Sequence, residues 1–298
     1  MNISTRRQFL TKGSQTALGA TMLPAICQGD HHKESRFQIG LSQYSLRAMF
    51  KDGSLDPLDF PKFTADTFGI KAIDLWEGGL PGDKLDDAAY LEKMKANAAK
   101  AGTELFLLMS GVFDATPSDE ARVANDKSIV PSLGRAEKLG CEFVRIFLKA
   151  PGDDAAQGVK ASAEALKPLA DAAAKKKLII AIEPAGSSLS EKGAFLAKVA
   201  KKLDHPALRL MPDFGKLKGN VYDGTEAMMP YTATVSAKMH SFDDAGNQPD
   251  FDYNRLMKII SASKYKGIIA IEWEGSKLKP VEGVKASQKL IAKSLGAL

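Results

Sequence analysis

Residues 178–213 read LIIAIEPAGSSLSEKGAFLAKVAKKLDHPALRLMPD, and this stretch carries the pattern that decides the fold. It begins with an apolar run, Leu178–Glu183, continues with a helical pattern over 188–203, and returns to a second run, Leu208–Asp213. Two short strands separated by a helix predict a parallel pair joined by a right-handed crossover. Both runs end in a carboxylate.

The same alternation extends along most of the chain. Eight apolar or β-branched runs occur: Phe37–Ser42, Lys71–Trp76, Glu104–Met109, Glu142–Leu148, Leu178–Glu183, Leu208–Asp213, Val235–His240 and Ile268–Trp273. Helical patterns follow them near 57–68, 86–101, 118–139, 158–176, 188–203, 223–230, 252–263 and 283–295. Eight such units within about 260 residues predict one closed (β/α)8 barrel, the TIM barrel of the α/β class.

Glycines support these boundaries. Gly69, Gly102, Gly140 and Gly267 each stand after a helical pattern and before a strand, where a left-handed C-terminal cap is needed. No Gly-Ser linker or charge run interrupts the chain after residue 36, so we expect one domain.

Composition and charge exclude several protein classes. The 298 residues are 44% hydrophobic and 26% charged, which is ordinary for a soluble globular protein. The net charge is +5, from 41 basic and 36 acidic residues. Residues 1–27 contain Arg6, Arg7, Lys12 and no acid, so the remainder has 38 basic and 36 acidic residues, a net charge of +2. No basic stripe with interleaved aromatics is present, and we expect no nucleic-acid partner.

The N-terminus has the features of an export signal. The stretch Ser4-Thr5-Arg6-Arg7-Gln8-Phe9-Leu10-Thr11-Lys12 resembles a twin-arginine signal, and the apolar stretch after it, 17–26, is too short to span a bilayer. We therefore expect a signal peptide over 1–27, a linker over 28–36, the barrel over 37–298, a periplasmic or otherwise exported protein, and no stable membrane anchor. With Cys27 removed, Cys141 has no disulfide partner and should be a small buried hydrophobe.

Four successive strands end in side chains that can bind a metal. Glu183, Asp213, His240 and Glu272 terminate runs five to eight, and the carboxyl ends of barrel strands form the active site. Converging carboxylates repel one another unless a cation or protons neutralise them. A divalent metal with the imidazole as fourth ligand would do so; this donor set favours Mn²⁺, Mg²⁺ or Co²⁺ and also accommodates Zn²⁺.

Longer motifs surround these residues. They are Pro212-Asp213-Phe214-Gly215, the segments 235–243 and 267–275, and the opening Leu41-Ser42-Gln43-Tyr44-Ser45-Leu46. With them the chain resembles the xylose isomerase-like barrel superfamily, which includes sugar and sugar-phosphate isomerases and epimerases, over essentially all of 37–295. The resemblance implies that Glu183, Asp213, His240 and Glu272 bind the metal. It also implies that Glu183 and Glu272 act as base and acid in proton transfer next to a substrate carbonyl.

Other side chains near the strand ends are candidates for substrate binding. They are Lys216, Gln43, Tyr44, Glu77, Arg145, Lys238 and Trp273. Lys238 lies two residues before His240 and should share its face, so a buried amine there would need Glu272 or Asp213 as partner. Arg145 and Lys238 equally fit structural ion pairs, and a large aromatic such as Trp273 at a strand end more often packs in the core than stacks on a sugar ring.

The sequence also departs from the family pattern. Lys216 stands where many members have a substrate-binding histidine, and Pro184-Ala185 replaces a common Asn-His pair. Three hypotheses therefore stay open: a metal-dependent isomerase or epimerase of sugars or keto-sugars, a lyase or hydratase acting on 3-keto-glycosides, and a non-catalytic carbohydrate-binding barrel. Only four histidines occur, which disfavours an apurinic-site nuclease with a multi-zinc site. The expected partner is a small carbohydrate, and formation of a homo-oligomer is left open.

Overall fold

Eight parallel strands form the centre of the protein, whose computed structural model describes residues 36–296. They are β1 Phe37–Ser42, β2 Ala72–Trp76, β3 Glu104–Asp114, β4 Phe143–Lys149, β5 Ile179–Glu183, β6 Leu208–Leu210, β7 Val235–Met239 and β8 Gly267–Trp273. Their order is β6-β5-β4-β3-β2-β1-β8-β7. Parallel bridges from Leu210 to Thr232 and from Asp213 to Ser236 join β6 to β7, so the sheet closes and the predicted (β/α)8 barrel is confirmed.

Ten α-helices accompany the strands in the described range. They are α1 Arg47–Lys51, α2 Phe60–Phe68, α3 Ala88–Ala101, α4 Asp119–Ser128, α5 Val130–Leu139, α6 Ala155–Lys175, α7 Gly193–Leu203, α8 Val221–Met228, α9 Tyr253–Ala262 and α10 Pro280–Gly296. None of these helices is long and apolar enough to cross a membrane. The expected export signal over 1–27 and all but the last residue of the expected linker lie outside the described residues. That last residue, Arg36, already belongs to the barrel, because it donates to the carbonyls of Ser261 and Tyr265 at 2.9 and 2.8 Å.

Two sequence predictions about the helices need correction. The expected single helix over 118–139 is split into α4 and α5, because Pro131 near the start of α5 cannot continue a preceding helix. Gly69, Gly102 and Gly140 have φ between 67° and 78° and cap α2, α3 and α5 as predicted. Gly267 does not: it is the first residue of β8, and a Cβ there would lie 2.6 Å from the Tyr265 hydroxyl.

Two apolar clusters hold the barrel together. The larger one lies mainly between the sheet and its helices and includes Cys141, which is buried as predicted. The smaller one comes from residues of six strands or strand ends: Ala72, Phe106, Leu107, Met109, Phe143, Ala181, Met211 and Ala270. Ala181, Met211 and Ala270 each precede an acidic residue by two positions. Because strand residues two apart share a face, this cluster lies directly beneath those acids.

Gly193 at the start of α7 should be required for helix packing, since a Cβ there would collide with the backbone of Gly224 in α8. We expect Gly193→Ala to lower the free energy of unfolding by about 1–3 kcal/mol through overpacking. Gly134→Ala in α5 is the control, because a Cβ there meets no neighbouring atom within 4 Å. It should raise stability by about 0.5–1 kcal/mol. Urea unfolding compares the two; equal effects would contradict the proposed contact.

Candidate active site

Three of the four predicted metal ligands meet at the carboxyl ends of the strands. Glu183 ends β5, Asp213 follows β6 by three residues, and Glu272 is the penultimate residue of β8. One oxygen from each carboxylate lies within 4.8 Å of the others. The three side chains are 1%, 0% and 4% exposed. Like charges at such distances in a buried setting require positive charge or protons nearby.

Asp213 is fixed by the turn that follows it. Its Oδ1 accepts hydrogen bonds from the backbone N–H groups of Gly215 and Lys216, at 2.9 and 2.8 Å. Its Oδ2 accepts the Ser236 hydroxyl at 2.7 Å and lies 3.4 Å from Lys238 Nζ. A carboxylate offers about four lone-pair positions, so three hydrogen bonds use most of the capacity of Asp213, and the Lys238 ammonium lies beside the oxygen that has a position left.

Lys238 on β7 supplies the central positive charge of the site. Its ammonium lies 3.4 Å from Asp213, 3.2 Å from Glu272 Oε1 and 2.5 Å from Glu274 Oε1, and its side chain is 2% exposed. β7 and β8 pair Lys238 with Glu272 in register, which fixes this contact. Burial alone would lower the pKa of Lys238, but the surrounding carboxylates outweigh burial and raise it. The amine is therefore an ammonium at neutral pH. Its partners include Asp213 and Glu272, the two acids that the sequence predicted.

Ser236 connects two of the carboxyl groups. Its hydroxyl oxygen lies 2.7 Å from Asp213 Oδ2 and 2.7 Å from Glu272 Oε2. A hydroxyl has one proton, so both contacts are hydrogen bonds only if one of the carboxyl groups is protonated. Burial raises the pKa of Glu272; the Lys238 ammonium opposes this effect, and the Asp213 and Glu274 carboxylates add to it. Burial also acts on Asp213, but the Lys238 ammonium and hydrogen bonds, including that from Ser236, hold its pKa below the ordinary value.

Arg145 on β4 compensates Glu183. Its Nε lies 2.9 Å from Glu183 Oε2, and its Nη1 donates to the Ser110 carbonyl at 2.7 Å. The first contact is an ion pair without hydrogen-bond alignment. Both oxygens of Glu183 are buried, and neither accepts a hydrogen bond from the described residues. Burial raises the pKa of Glu183 well above its ordinary value; Arg145 opposes this effect, and Asp213 and Glu272 add to it.

The structure departs from the predicted ligand set at His240. The cluster of ligand atoms found among residues 36–296 does not include this histidine. His240 follows the end of β7 and is half-buried beside Gly215, where a Cβ would lie 3.0 Å from its Nε2. Lys238, and not His240, contacts Asp213 and Glu272 directly. Binding of a metal by His240 remains a prediction.

Two of the predicted substrate-binding residues have other roles. Trp273 is 1% exposed, stacks on Phe242 with ring centroids 5.4 Å apart, and packs against Gly283 of α10. Since β8 places Glu272 inward, its neighbour Trp273 must face outward, and the prediction that it binds substrate is wrong. Glu77 is bound by Arg135 and the Ser132 hydroxyl, both at 2.8 Å, and so ties the end of β2 to α5.

The remaining candidates lie around the strand ends. Gln43 is fully buried, and its Oε1 accepts the N–H of Trp76 at 2.8 Å while its Nε2 lacks a hydrogen-bond partner in the described range. Tyr44 meets the Trp76 ring edge-on at 4.8 Å. The amine of Lys216 lies 5.2 Å from the centre of the Phe147 ring, whose other cationic neighbour is Arg145 at 4.1 Å. Their roles in substrate binding remain predictions.

Three residues of the polar network were not predicted from the sequence. Ser236 and Glu274 share the faces of Lys238 and Glu272 at a spacing of two, which was a usable signal. Asp74 is a lone acid in the apolar strand β2, fully buried, with Oδ1 accepting the N–H of Gln43 at 3.0 Å. The Oδ2 atom of Asp74 has no hydrogen-bond partner among the described residues. Burial raises the pKa of Asp74 well above the ordinary value, and the Glu272 carboxylate adds to this effect.

The donor set fits a divalent cation. Three buried carboxylates present oxygens within 4.8 Å of one another, so the cluster could bind a metal. Neither oxygen of Glu183 accepts a hydrogen bond from the described residues, so their lone pairs are available for such an ion. In the group joined by direct contacts, four carboxyl groups, including Glu274, meet two cations, Lys238 and Arg145. Two negative charges remain when all are ionised, which is the charge that one divalent ion neutralises.

The chain belongs to the xylose isomerase-like TIM barrel family, which it matches over residues 63–294. No curated protein sequence matches it significantly. The fold is similar to that of 3-keto-D-glucoside 4-epimerase from E. coli, with a TM-score of 0.63, 14% identity, and coverage of 87% of this chain and 99% of that one.

Two further solved structures share the fold. The IOLI protein with a bound zinc atom has a TM-score of 0.72 and 12% identity, covering 87% of this chain and 98% of that one. A probable 3-DHS dehydratase from Bacillus anthracis has a TM-score of 0.64 and 14% identity, covering 84% and 97%. At these identities the likeness establishes the fold, and the chemistry has to be argued from the residues.

Removal of Arg145 should destabilise the protein because it leaves Glu183 buried without its cation. We expect Arg145→Met to lower the free energy of unfolding by about 3–5 kcal/mol, and addition of Glu183→Gln to recover part of that loss. The control is Lys62→Met, which breaks an exposed pair with Asp66 and should cost less than about 1 kcal/mol. Chemical denaturation measures all three; a small effect of Arg145→Met would show that the pair is unimportant.

Proposed function

We propose that the protein is a metal-dependent isomerase or epimerase of sugars or keto-sugars, with Glu183 and Glu272 as its proton-transfer pair. The observation that carries the proposal is the buried cluster of Glu183, Asp213 and Glu272 at the strand ends of a xylose isomerase-like barrel. The family and the folds of a keto-glucoside epimerase and a zinc-containing barrel support it.

Glu183, Asp213 and Glu272 would hold the ion, and His240 is proposed as a further ligand from the strand-7 end. The donor set favours Mn²⁺, Mg²⁺ or Co²⁺ and accommodates Zn²⁺. When bound, the ion would supply positive charge that stabilises the oxyanion developing on a substrate whose C–H bond next to a carbonyl is broken.

Glu183 is suited to accept a proton from the substrate. Its oxygens accept no hydrogen bond from the described residues, so their lone pairs can accept a proton without breaking one. Arg145 holds the carboxylate in place through Nε at 2.9 Å, and its bond to the Ser110 carbonyl fixes the guanidinium in turn. Burial raises the pKa of Glu183, which brings the strength of this base closer to that needed near neutral pH.

Glu272 is suited to return a proton. Its Oε2 lies 2.7 Å from the Ser236 hydroxyl and its Oε1 lies 3.2 Å from Lys238, so the protein holds both of its oxygens. Burial raises the pKa of both glutamates, and a different cation opposes the rise at each: Lys238 at Glu272 and Arg145 at Glu183. Two carboxyl groups in different electrostatic surroundings are the arrangement that lets one act as base and the other as acid.

A lyase or hydratase acting on 3-keto-glycosides is the second candidate. The same proton abstraction beside a carbonyl begins an elimination, and a probable dehydratase shares the fold. The two candidates differ in the step after proton removal: return of the proton gives an epimer or isomer, and departure of a β-substituent gives an unsaturated product. Analysis of the products therefore decides between them.

We also propose that the twin-arginine-type N-terminus directs the protein out of the cytoplasm. The proposal rests on the paired Arg6 and Arg7 followed by Phe9 and Leu10 in the sequence. Cell fractionation of the full-length chain and of the variant with both arginines changed to lysine tests it; equal cytoplasmic retention would contradict export by this route.

Glu183→Gln should abolish proton transfer. With a 3-keto-glycoside or ketose in D₂O, we expect the wild-type protein to incorporate deuterium next to the carbonyl, and Glu183→Gln to slow this about 10²- to 10⁴-fold. Exposed Glu120→Gln serves as the matched control and should retain the wild-type rate. NMR detects both exchange and product. Equal exchange by Glu183→Gln would refute the assigned base, whereas an unsaturated product would select the lyase.

Metal binding should be stoichiometric and stabilising. We expect elemental analysis of the purified protein, reconstituted after chelation, to find one divalent ion per chain. An ion present at 100 times its Kd should stabilise the fold by about 2.7 kcal/mol. The Asp213→Asn variant should lose most of this stabilisation. Differential scanning calorimetry with and without Mn²⁺ is the measurement; an unchanged Tm in saturating metal would contradict the site.

A further inference from the structure

Lys238 contacts oxygens that a divalent ion would need. Its ammonium lies between Asp213 and Glu272, at 3.4 and 3.2 Å, and both belong to the proposed metal cluster. Asp213 accepts hydrogen bonds from two backbone N–H groups and the Ser236 hydroxyl, which use three of its about four lone-pair positions, and the Lys238 ammonium lies 3.4 Å from Oδ2. An ion that binds Asp213 must therefore displace one of these contacts.

Lys238 is the contact that an ion would displace. The two N–H groups belong to the turn at 213–216 and cannot leave without unfolding it, and the Ser236 hydroxyl is neutral. The ammonium carries a positive charge and would repel a divalent cation bound to the same carboxylates. It is also the group held by a flexible side chain.

Glu274 gives the displaced ammonium a second position. Its Oε1 already lies 2.5 Å from Lys238 Nζ, the shortest of the three contacts, and its side chain is 21% exposed and absent from the metal cluster. This contact exists before any ion binds, so the ammonium needs no new partner. The ammonium can then keep one salt bridge while an ion takes the other two carboxylates.

We propose that Lys238 is a built-in competitor of the divalent ion: it neutralises Asp213 and Glu272 in the ion-free protein and withdraws to Glu274 when the ion binds. The inference deepens the proposed function and rests on its metal site. It predicts a fold that is stable without metal. It also predicts a metal affinity lower than the three carboxylates alone would give.

Removal of the ammonium should tighten metal binding. We expect Lys238→Met to lower the Kd for Mn²⁺ at least about tenfold, since a positive charge within 3.4 Å of two ligands is removed. It should also lower the Tm of the ion-free protein. Isothermal titration of chelator-treated, dialysed protein with MnCl₂ measures the affinity, and calorimetry measures the Tm.

Lys216→Met is the matched control. It removes the same charge from a residue whose amine lies over the Phe147 ring and acts on Asp213 less strongly than Lys238 does. It should change the Kd for Mn²⁺ much less than Lys238→Met does. An equal gain from both variants would mean a general effect of charge and would overturn direct competition.

Glu274→Gln supplies a test with the opposite sign, which also serves if Lys238→Met does not fold. Without Glu274 the ammonium loses its second position, so Mn²⁺ binding to this variant should weaken severalfold. A carboxylate near the ion could itself attract Mn²⁺, so the double variant Lys238→Met/Glu274→Gln separates the two effects. If Glu274 acts through Lys238, its replacement should matter much less in the Lys238→Met background than in the wild-type background.

The outcomes separate this inference from the function it rests on. Equal Mn²⁺ affinity of wild-type and Lys238→Met proteins would overturn competition and leave the metal-dependent enzyme standing. No Mn²⁺ binding by either protein, or by Glu274→Gln, would overturn competition and remove the metal from the proposed function, whereas deuterium exchange would still report on proton transfer. Binding by Lys238→Met alone would support competition in its strongest form.

Discussion

Four carboxyl groups meet at one end of the barrel, and their mutual repulsion has to be balanced by positive charge inside the protein. Arg145 from β4 and Lys238 from β7 provide it through ion pairs of 2.9 to 3.4 Å, and of 2.5 Å to Glu274. These six charges come from the five successive strands β4 to β8 or their ends. The register of the parallel sheet, and especially the pairing of Lys238 with Glu272, is therefore the condition for the whole arrangement.

Most of the fold could be predicted from the sequence because its signals are local. Apolar runs, helical patterns and the glycines at positions 69, 102 and 140 each reflect the conformation of a few neighbouring residues. The main errors arose where a local signal had another cause. Pro131 ends one helix and opens the next, and Gly267 makes room for the Tyr265 hydroxyl instead of capping a helix. Closure of β6 on β7 depends on two isolated bridges, which no local pattern encodes.

The site was predicted in part for a related reason. The period of two in a strand tells which face a side chain occupies, and it correctly placed Glu183 and Glu272 inward along with Lys238. The same rule places Trp273 outward, so that error was avoidable. The period of two does not tell how deep a side chain lies in the barrel or how far it is from side chains of other strands. Lys238 rather than His240 therefore contacts the acids. Asp74 on β2, two strands from β8, escaped notice although the charge of Glu272 acts on its pKa.

A buried ion pair is weak evidence for stability, because desolvation of both ions offsets their attraction, yet removal of one partner leaves a charge that nothing compensates. The ion pairs of Lys238 therefore add little net free energy of unfolding, whereas removal of Lys238 would lower it strongly. A divalent ion changes this balance, since it can replace the ammonium at Asp213 and Glu272 and leave it paired with Glu274. The lysine that competes with the ion is thus also the residue that keeps the ion-free site folded, and these two effects have the same electrostatic origin.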